Sequence, residues 1–582
     1  MPHATSPVSL SSAATHRLPR WILLALCLIY GLLGLFGRDP WKNNDAIGFG
    51  VMWTMANGNL HDWLMPNIAG RLFDHDGPLM FWFGAAMIKL FGATLGAPNA
   101  ARLATACCFF LTCILLWRST YLLSRRPEAQ PYPFAFGGHP PAHDYGRTLA
   151  DSALLIFLAC IGLTQRSHET TAGLAQMALI TLLLYGTVRS LDRPKQGIIC
   201  CALALGGLTL ASGPTLAITL FLMVIASSLM CPAFFGWQLA VRALPFAIMI
   251  MAIWPLLLYL LVESKPHAWQ PLQAWFNYDQ QRFHGPTKQA LGYTLRNLLP
   301  FAWPLWPLAI WAGISWRQSL RAPHIVLPLW LTIGVLLLIA LQKTGDDILF
   351  LLIAPPLAAL AAFSLPTLKR NVGNAIDWFA LMAATLLSGF IWLVWNAQIT
   401  GIPSQTARNF YRLLPGFSTT LHWGNLLGAT AVTIAWLITV RWRLHHAPKV
   451  IWRSVIISAA GTTIVWTLMM TLWLPAINYA KTYKNVAIAI AHAVPHNYHC
   501  IQSSQMGEAQ LASLAYFTQL RFSDTQHCDV LLDHKGNKNT PTPSDIDDAA
   551  ISPQKWRLIW EGHRPADRDE NFRLYIARQS TH

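Results

Sequence analysis

The most constraining feature of this sequence is a series of apolar runs, each about as long as a lipid bilayer is thick. A helix needs roughly 17–25 mainly apolar residues to cross the hydrocarbon core, and about thirteen such runs precede the polar C-terminal part. They lie near residues 21–37, 100–124, 149–166, 171–190, 196–212, 214–231, 237–262, 298–316, 324–342, 347–366, 374–396, 420–440 and 452–475. This series predicts a polytopic α-helical membrane protein.

The composition supports the same prediction. Hydrophobic residues make up 54% of the 582 residues and charged residues only 12%, about half of the ~25% that is usual for soluble proteins. The net charge of +16 falls largely in short loops between apolar runs, so membrane topology explains it and nucleic acid is not an expected partner. The 26 Trp residues fit aromatic belts at the two membrane interfaces.

A further apolar run, residues 78–93, is short and contains Lys89. If it crossed the membrane, later basic clusters such as Arg125-Arg126 and Lys369-Arg370 would lie opposite the basic N-terminal tail, against the positive-inside rule. We therefore predict that this run is an interfacial helix on the outer face.

This topology divides the chain into a cytoplasmic tail over residues 1–20, a transmembrane domain over 21–475 and a periplasmic domain over 476–582. Two large periplasmic loops are predicted at 38–99 and 263–297. The first helix is expected to be retained because no small-residue cleavage site follows it. The C-terminal part alternates helix-like and strand-like stretches, which predicts a small α/β domain of about 100 residues.

Two of the ten cysteines, Cys500 and Cys528, lie in that C-terminal domain. In a Gram-negative host an outer placement means the oxidising periplasm, where disulfides persist. Each cysteine adjoins a strand-like stretch, and neighbouring strands would bring the two together. We predict a disulfide between them; the alternative is two separate buried thiols.

Most acidic residues of the membrane part fall on the predicted outer face, which suggests an outward-facing polar site. They are Asp39, Asp45, Asp62, Asp74, Asp76, Glu169, Glu263, Asp279, Asp346 and Asp347. The sequence contains no P-loop and no dinucleotide glycine fingerprint. The segment His168-Glu169-Thr170-Thr171-Ala172 lacks the second histidine of a zinc protease motif.

Several motifs of the membrane part follow one another in an order that is fairly specific. They are Asp45, the segment Gly58–Pro66 with Asp62-Trp63, Pro78-Leu79 with Trp82, Leu90-Phe91-Gly92, Leu210–Pro214, Asn277–Phe283 ending in Gln281-Arg282-Phe283, and Lys343 ahead of Pro355-Pro356. Over residues 20–475 this pattern resembles the family 39 membrane glycosyltransferases of GT-C type. These include the protein mannosyltransferases and the aminoarabinose transferases that modify lipid A.

The resemblance implies transfer of a sugar from an undecaprenyl-phosphate-linked donor to an envelope acceptor, such as lipid A or another glycolipid, at the periplasmic face of the inner membrane. It implies a single inverting displacement and no nucleotide cofactor. Asp45 is the candidate catalytic base, and Arg282 and Lys343 are candidate ligands of the donor phosphate. The remaining candidate substrate-binding residues are His168, Glu169, Asp279 and Asp62.

The chain departs from the family pattern at four places. Ala46 follows Asp45 where the family often has Asp-Glu, and Asp76-Gly77 replaces a lysine-proline pair before Pro-Leu. Gly173 lies in a second loop that usually carries an aspartate, and Asp279 replaces a histidine of the aminoarabinose transferases. The sugar, the acceptor and a requirement for a divalent cation therefore stay open.

Each candidate also has a plain structural interpretation. Asp45 is a common residue type at a helix start, and Arg282 follows Asp279 at the spacing of an ordinary helical ion pair. Lys343 could extend to the interface from a span end, and the His168-Glu169 pair could lie in a solvated turn.

Two other functions stay open for the whole chain. A transporter or flippase of lipid-linked sugars is one, although transport sites usually lie near the bilayer midplane rather than at one face. A relative that binds the carrier lipid without catalysis is the other.

Overall fold

The computed structural model describes residues 6–133, 138–262, 269–445, 450–504, 506–523, 528–535 and 556–578. It consists of a large helical part and a C-terminal part that contains a four-stranded sheet. The predicted fold class, a polytopic helical membrane protein with a small C-terminal α/β domain, is confirmed.

Nine helices among the described residues are long and apolar enough to cross a membrane. They are Ala97–Ser124, Ala172–Ser190, Pro194–Ala211, Gly236–Leu261, Pro323–Leu341, Ile348–Thr367, Arg370–Thr400, Trp423–His445 and Arg453–Leu472. Shorter apolar helices are Arg20–Leu32, Leu79–Leu95 and Pro214–Met230. The helix Ala142–Leu158 also contains a long apolar stretch. The count of thirteen spans and the interfacial position of the run 78–93 stay predictions.

The apolar pattern of each helix determines where it packs. The helix Ile348–Thr367 is apolar on all sides and lies at the centre of the bundle, and 94% of its most apolar 18-residue stretch is buried. Only 11% of the corresponding stretch of Trp423–His445 is buried. The outward side of that helix is therefore a lipid-facing surface.

Two predicted spans differ from the structure in shape. The run 298–316 is divided into Lys288–Phe301 and Leu305–Ser315, which meet at 81°. Pro304 lies at this break, and proline supplies no backbone N–H to continue a helix. The run 149–166 is also interrupted: one helix ends at Leu158, and a short helix, Leu163–Arg166, follows.

The first outer loop has its own structure. It contains the helices Asn44–Asn57 and Leu60–Leu64, the two-stranded hairpin Asn67–Ile68 and Arg71–Leu72, and the helix Leu79–Leu95. Other connecting helices are Gln270–Arg282, Ser404–Leu413, Leu474–Lys481 and Lys484–Ala493.

The C-terminal sheet has the strand order Ile501–Ser504, Val530–Lys535, Asp567–Ala577, Trp556–Arg564. The first two strands are parallel, and the helix Glu508–Thr518 lies in the crossover that a parallel pair requires. The predicted disulfide is present, with the Cα atoms of Cys500 and Cys528 4.9 Å apart.

This C-terminal domain packs directly on the first outer loop. The ring of Tyr516 meets Phe49 edge-on, with centroids 4.8 Å apart. Arg71 donates hydrogen bonds to the Met506 carbonyl and the Ser503 hydroxyl. The loop that carries Asp45 is therefore enclosed between the membrane helices and the C-terminal domain.

Candidate active site

Asp45 lies in the first turn of the helix Asn44–Asn57, and its side chain is completely buried. Its Oδ2 accepts hydrogen bonds from Arg38 Nη1 at 2.7 Å and from the Trp41 backbone N–H at 2.9 Å. Its Oδ1 accepts from the Thr170 N–H at 2.8 Å and the Thr170 hydroxyl at 2.9 Å. Both carboxylate oxygens are therefore occupied by protein donors.

A second arginine completes this arrangement. Arg102 Nη1 donates to the Arg38 carbonyl at 2.7 Å, and its Nη2 lies 3.4 Å from Asp45 Oδ2. Although burial disfavours the charged carboxylate, the two guanidinium groups and the backbone donors hold the pKa of Asp45 well below its usual range. We call Arg38, Asp45, Arg102 and Thr170 the Asp45 cluster.

Neither arginine of this cluster was among the residues predicted from the sequence. Arg102 is a charged residue within an apolar run, which is itself a signal of a functional or paired group. Arg38 begins the first outer loop, seven residues before Asp45.

His168 is buried and makes contacts that are mainly structural. Its Nδ1 lies 2.7 Å from the Thr164 carbonyl, its Nε2 lies 2.8 Å from the Tyr30 carbonyl, and its backbone carbonyl accepts from Arg38 Nη2 at 2.7 Å. Burial lowers the pKa of His168 to about 4. The ring therefore anchors the loop around residues 166–170 to the first helix, Arg20–Leu32.

Glu169 is buried beside this cluster. Its carboxylate accepts from Gln165 Nε2 and from Arg166 Nη1, each at 2.7 Å. Burial raises the pKa of Glu169, and the charge of Arg166 opposes that shift. Lys481, which was also not predicted from the sequence, donates to Gln165 Oε1 at 2.9 Å and lies over the Trp41 ring.

Arg282 forms a second group of charges, at the end of the helix Gln270–Arg282. Its Nη2 lies 3.3 Å from Asp346 Oδ2, and its Nη1 lies 3.8 Å from Asp76 Oδ1. Asp76 Oδ1 also accepts from Gln176 Nε2 at 3.1 Å. We call Arg282, Asp76, Asp346 and Gln176 the Arg282 cluster.

The rim of the Arg282 cluster includes the C-terminal domain. The His75 ring stacks on Tyr278 with centroids 4.5 Å apart, and its Nδ1 lies 3.4 Å from Glu508 of that domain. Burial raises the pKa of Glu508, and the neighbouring His75 opposes that shift.

The two clusters are linked through Arg166 and two pairs of sequence neighbours, Glu169–Thr170 and Asp346–Asp347. Arg166 binds both Glu169 and Asp347, with its Nε 2.8 Å from Asp347 Oδ2. The adjacent residue, Asp346, binds Arg282. One continuous group of charges therefore extends from Asp45 to Asp76.

The other candidate residues differ in position. Asp279 accepts from the backbone N–H and the hydroxyl of Thr215 at 3.0 and 2.6 Å and so caps the helix Pro214–Met230. Asp62 belongs to the capping box of Leu60–Leu64. Lys343 is exposed, donates its backbone N–H to the Arg282 carbonyl at 2.8 Å, and makes no side-chain ion pair with the described residues.

Within the described ranges, no group of three or more His, Cys, Asp or Glu side chains is arranged to hold a metal ion. The carboxylates of three candidate site residues have protein partners: Asp45 and Glu169 bind arginines, and Asp279 binds Thr215.

The structure contains two apolar cavities near the candidate site residues in the sequence. A cavity of about 800 Å³ lies between the helices near residues 156–165, 303–311, 372–387 and 455–469, and it reaches Gln165 and Trp466. A second, of about 640 Å³, is lined by Leu60, Trp63, Leu64, Leu79, Trp82, Phe83, Ala86, Leu257 and Leu261. The larger cavity therefore reaches the charged group through Gln165, and the smaller cavity includes Leu79, three residues after Asp76 in the sequence.

Comparison with solved structures gives a likeness over almost the whole chain. The protein matches the crystal structure of ArnT from Cupriavidus metallidurans bound to undecaprenyl phosphate with a TM-score of 0.67 and 14% identity, over 95% of this chain and 97% of that one. The apo state of the same ArnT matches with a TM-score of 0.63 and 13% identity over the same shares. No protein-family model and no curated protein matches by sequence. At this identity the likeness establishes the fold, and the chain has the GT-C fold that its motifs predicted.

Proposed function

We propose that this protein transfers a sugar from an undecaprenyl-phosphate-linked donor to lipid A or another envelope glycolipid, at the periplasmic face of the bacterial inner membrane. The observation that carries the proposal is the contact between charged groups and apolar cavities. Gln165 lines the larger cavity and also binds Glu169 and Lys481. This combination suits substrates with a long apolar chain and an anionic head.

The donor suits the Arg282 end of the site. The lining of the smaller cavity includes Leu79, three residues after Asp76 in the sequence, and is apolar, as a polyprenyl chain needs. An arginine can bind two phosphate oxygens through its planar fork, so Arg282 would hold the donor phosphate. Lys343, whose backbone contacts Arg282, would add a positive charge at the rim. The similar ArnT crystallised with undecaprenyl phosphate bound, which supports a donor linked to this carrier lipid.

The acceptor suits the larger cavity. Arg166 and Lys481 lie where this cavity meets the charged group, since both contact the Gln165–Glu169 pair. Two positive side chains beside an apolar cavity fit a glycolipid with a phosphorylated head better than a protein hydroxyl. A lipid acceptor is therefore the favoured class.

Asp45 then acts by positioning. Its oxygens are saturated and its pKa is held low, so it would be a weak proton acceptor. It would fix Arg38 and Arg102 and, through Thr170, the loop that carries Glu169. An acceptor phosphate already ionised at neutral pH needs no base for a single inverting displacement.

The test uses the full-length protein in lipid nanodiscs with lipid A and a panel of undecaprenyl-phosphate-linked pentoses and hexoses. Mass spectrometry is expected to show glycosylated lipid A and free undecaprenyl phosphate, and Arg282→Ala is expected to abolish both products. Arg412→Ala is the matched control, because Arg412 is an exposed arginine in the helix Ser404–Leu413 and is not among the candidate site residues. Binding of the donor without consumption would favour the non-catalytic relative, and its movement across the bilayer without consumption would favour a flippase.

A further inference from the structure

Asp76 is placed where it should weaken the donor site. The family that the sequence resembles has a lysine-proline pair here, and this chain has Asp76-Gly77. The side chain of Asp76 lies 3.8 Å from Arg282 Nη1, the group that would hold the donor phosphate. A carboxylate at this distance would repel a phosphate bound to the same guanidinium.

The two carboxylates of the Arg282 cluster are not equivalent. Asp346 is 28% exposed, and both of its oxygens have partners, Arg282 Nη2 and the Ile348 N–H. Asp76 is 12% exposed. Its Oδ1 accepts from Gln176, while its Oδ2 has no hydrogen-bond partner among the described residues. Asp76 Oδ2 is therefore the atom that can carry a proton toward a ligand.

Gln176 is a second, independent sign of a ligand at this point. It is completely buried, and its Nε2 is fixed between two acceptors, Asp76 Oδ1 and the Ala211 carbonyl. Its Oε1 is buried with no donor among the described residues. An unsatisfied buried acceptor is costly unless a ligand hydroxyl or a water satisfies it.

We propose that Asp76 binds the donor phosphate as a neutral carboxylic acid, its Oδ2–H donating to a phosphate oxygen that Arg282 also holds. Gln176 Oε1 accepts a hydroxyl of the attached sugar. This inference rests on the proposed function and makes donor binding dependent on pH. No bond is made or broken in this step; it concerns recognition alone.

The surroundings of Asp76 agree with this protonation. The charged and titratable groups that face it are Arg282 and Tyr278 from one helix, Asp346 from the loop before Ile348, and His75 from its own loop. Burial raises the pKa of Asp76 to about 6; Asp346 adds to that shift, and Arg282, His75 and the Gln176 hydrogen bond oppose it. A bound phosphate anion would raise this pKa further.

The test measures binding to the full-length protein in nanodiscs between pH 5 and pH 8. The probe is undecaprenyl methyl phosphate, a phosphodiester whose single charge is constant over this range, and undecaprenol is the uncharged reference. The wild-type dissociation constant is expected to rise on the order of tenfold or more from pH 5 to pH 8 as Asp76 loses its proton. Asp76→Asn and Asp76→Lys are expected to bind with little dependence on pH, since an amide stays neutral and an ammonium stays charged.

His75→Gln is the control, because the His75 ring is adjacent to Asp76 in the sequence and faces the same group of charges. It is expected to keep the wild-type pH dependence. Loss of the dependence in His75→Gln but not in Asp76→Asn would overturn the inference, and so would a wild-type constant that does not change with pH. If the wild-type protein binds undecaprenyl methyl phosphate no more tightly than undecaprenol at every pH tested, the proposed donor would be overturned instead. Thermal unfolding of each variant checks that it is folded.

Discussion

The Asp45 cluster and the Arg282 cluster both pair arginine with aspartate, but the ratio of arginines to carboxylates is opposite in the two. In the Asp45 cluster two arginines surround one carboxylate, and every carboxylate oxygen has protein donors at 2.7–2.9 Å. In the Arg282 cluster two carboxylates flank one arginine at 3.3 and 3.8 Å. The first is a closed framework that holds loops together. The second has unused hydrogen-bonding capacity, which is what a binding site needs.

The largest expected effect on stability comes from removing the carboxylate of the Asp45 cluster. Asp45→Ala would leave two buried guanidinium groups without a counterion, which typically costs about 3–5 kcal/mol of folding free energy. Thermal unfolding of the detergent-solubilised protein is the measurement, and the yield of folded protein should fall with it. Asp346→Ala is the control from the second cluster, since its side chain is 28% exposed. Equal unfolding temperatures for the two variants would contradict the comparison.

A smaller loss of stability is expected from adding a methyl group next to Thr170 of the Asp45 cluster without changing the charges of the cluster. A Cβ added at Gly48 would lie 1.7 Å from the Thr170 carbonyl oxygen, and this atom belongs to backbone that cannot move aside cheaply. Gly48→Ala should therefore cost about 3 kcal/mol, at the upper end of overpacking effects. Gly292→Ala meets no atom within 4 Å, and its unfolding temperature should stay at or slightly above that of the wild type. An unchanged unfolding temperature for Gly48→Ala would show that the backbone at Thr170 is not held as tightly as described.

The framework also marks the limit of what could be predicted from the sequence. Apolar run length and strand-like patterns predicted the membrane helices and the C-terminal sheet, because these depend on local composition. The Cys500–Cys528 disulfide was predicted from the outer placement of the C-terminal domain and the pairing of the two strands beside the cysteines. The partners of Asp45 could not be predicted in this way. Thr170 is 125 residues from Asp45 in the sequence, and only the packing of separate helices brings the two together.

Asp279 illustrates the same limit. Substrate binding by Asp279 stays a prediction from its motif, and the motif did not reveal that the Asp279 carboxylate caps a helix through Thr215, 64 residues away. The bend between Lys288–Phe301 and Leu305–Ser315 was missed because an apolar run records length but not direction. Lys481 was missed because it lies just beyond the last predicted span, where a basic residue is ordinary.

In the Arg282 cluster, replacing Asp76 with asparagine should raise the stability of the protein, and the gain should be larger at higher pH. The pKa of Asp76 is raised by burial to about 6 from an ordinary value of 3.8, so folding favours its neutral form. The ionised form destabilises the fold, and this cost is absent below about pH 4, grows as the pH rises to 6 and is constant above that. Asp76→Asn should therefore stabilise the protein by up to roughly 3 kcal/mol at pH 8, since each pKa unit corresponds to about 1.4 kcal/mol. Thermal unfolding at pH 4.5 and pH 8 tests this, and a gain of equal size at both would point to a cause other than ionisation.

The smallest effect on stability is expected from Arg282→Ala, and it separates the two clusters most directly. Removing this arginine leaves Asp76 without its cation, but a carboxyl group already inclined to protonate becomes neutral at modest cost. At pH 6 the loss should be about 1 kcal/mol, whereas Arg38→Ala in the framework removes a buried ion pair to a carboxylate whose pKa is held low and should cost about 3–5 kcal/mol. Binding should show the reverse order, because Arg282→Ala removes the proposed phosphate ligand and Arg38→Ala does not. Both variants are measured at pH 6. Thermal unfolding gives their order in loss of stability, and binding of undecaprenyl methyl phosphate gives their order in loss of affinity. If Arg282→Ala unfolded the protein as strongly as Arg38→Ala, the Arg282 cluster would be a second framework and its unused hydrogen-bonding atoms would need another explanation.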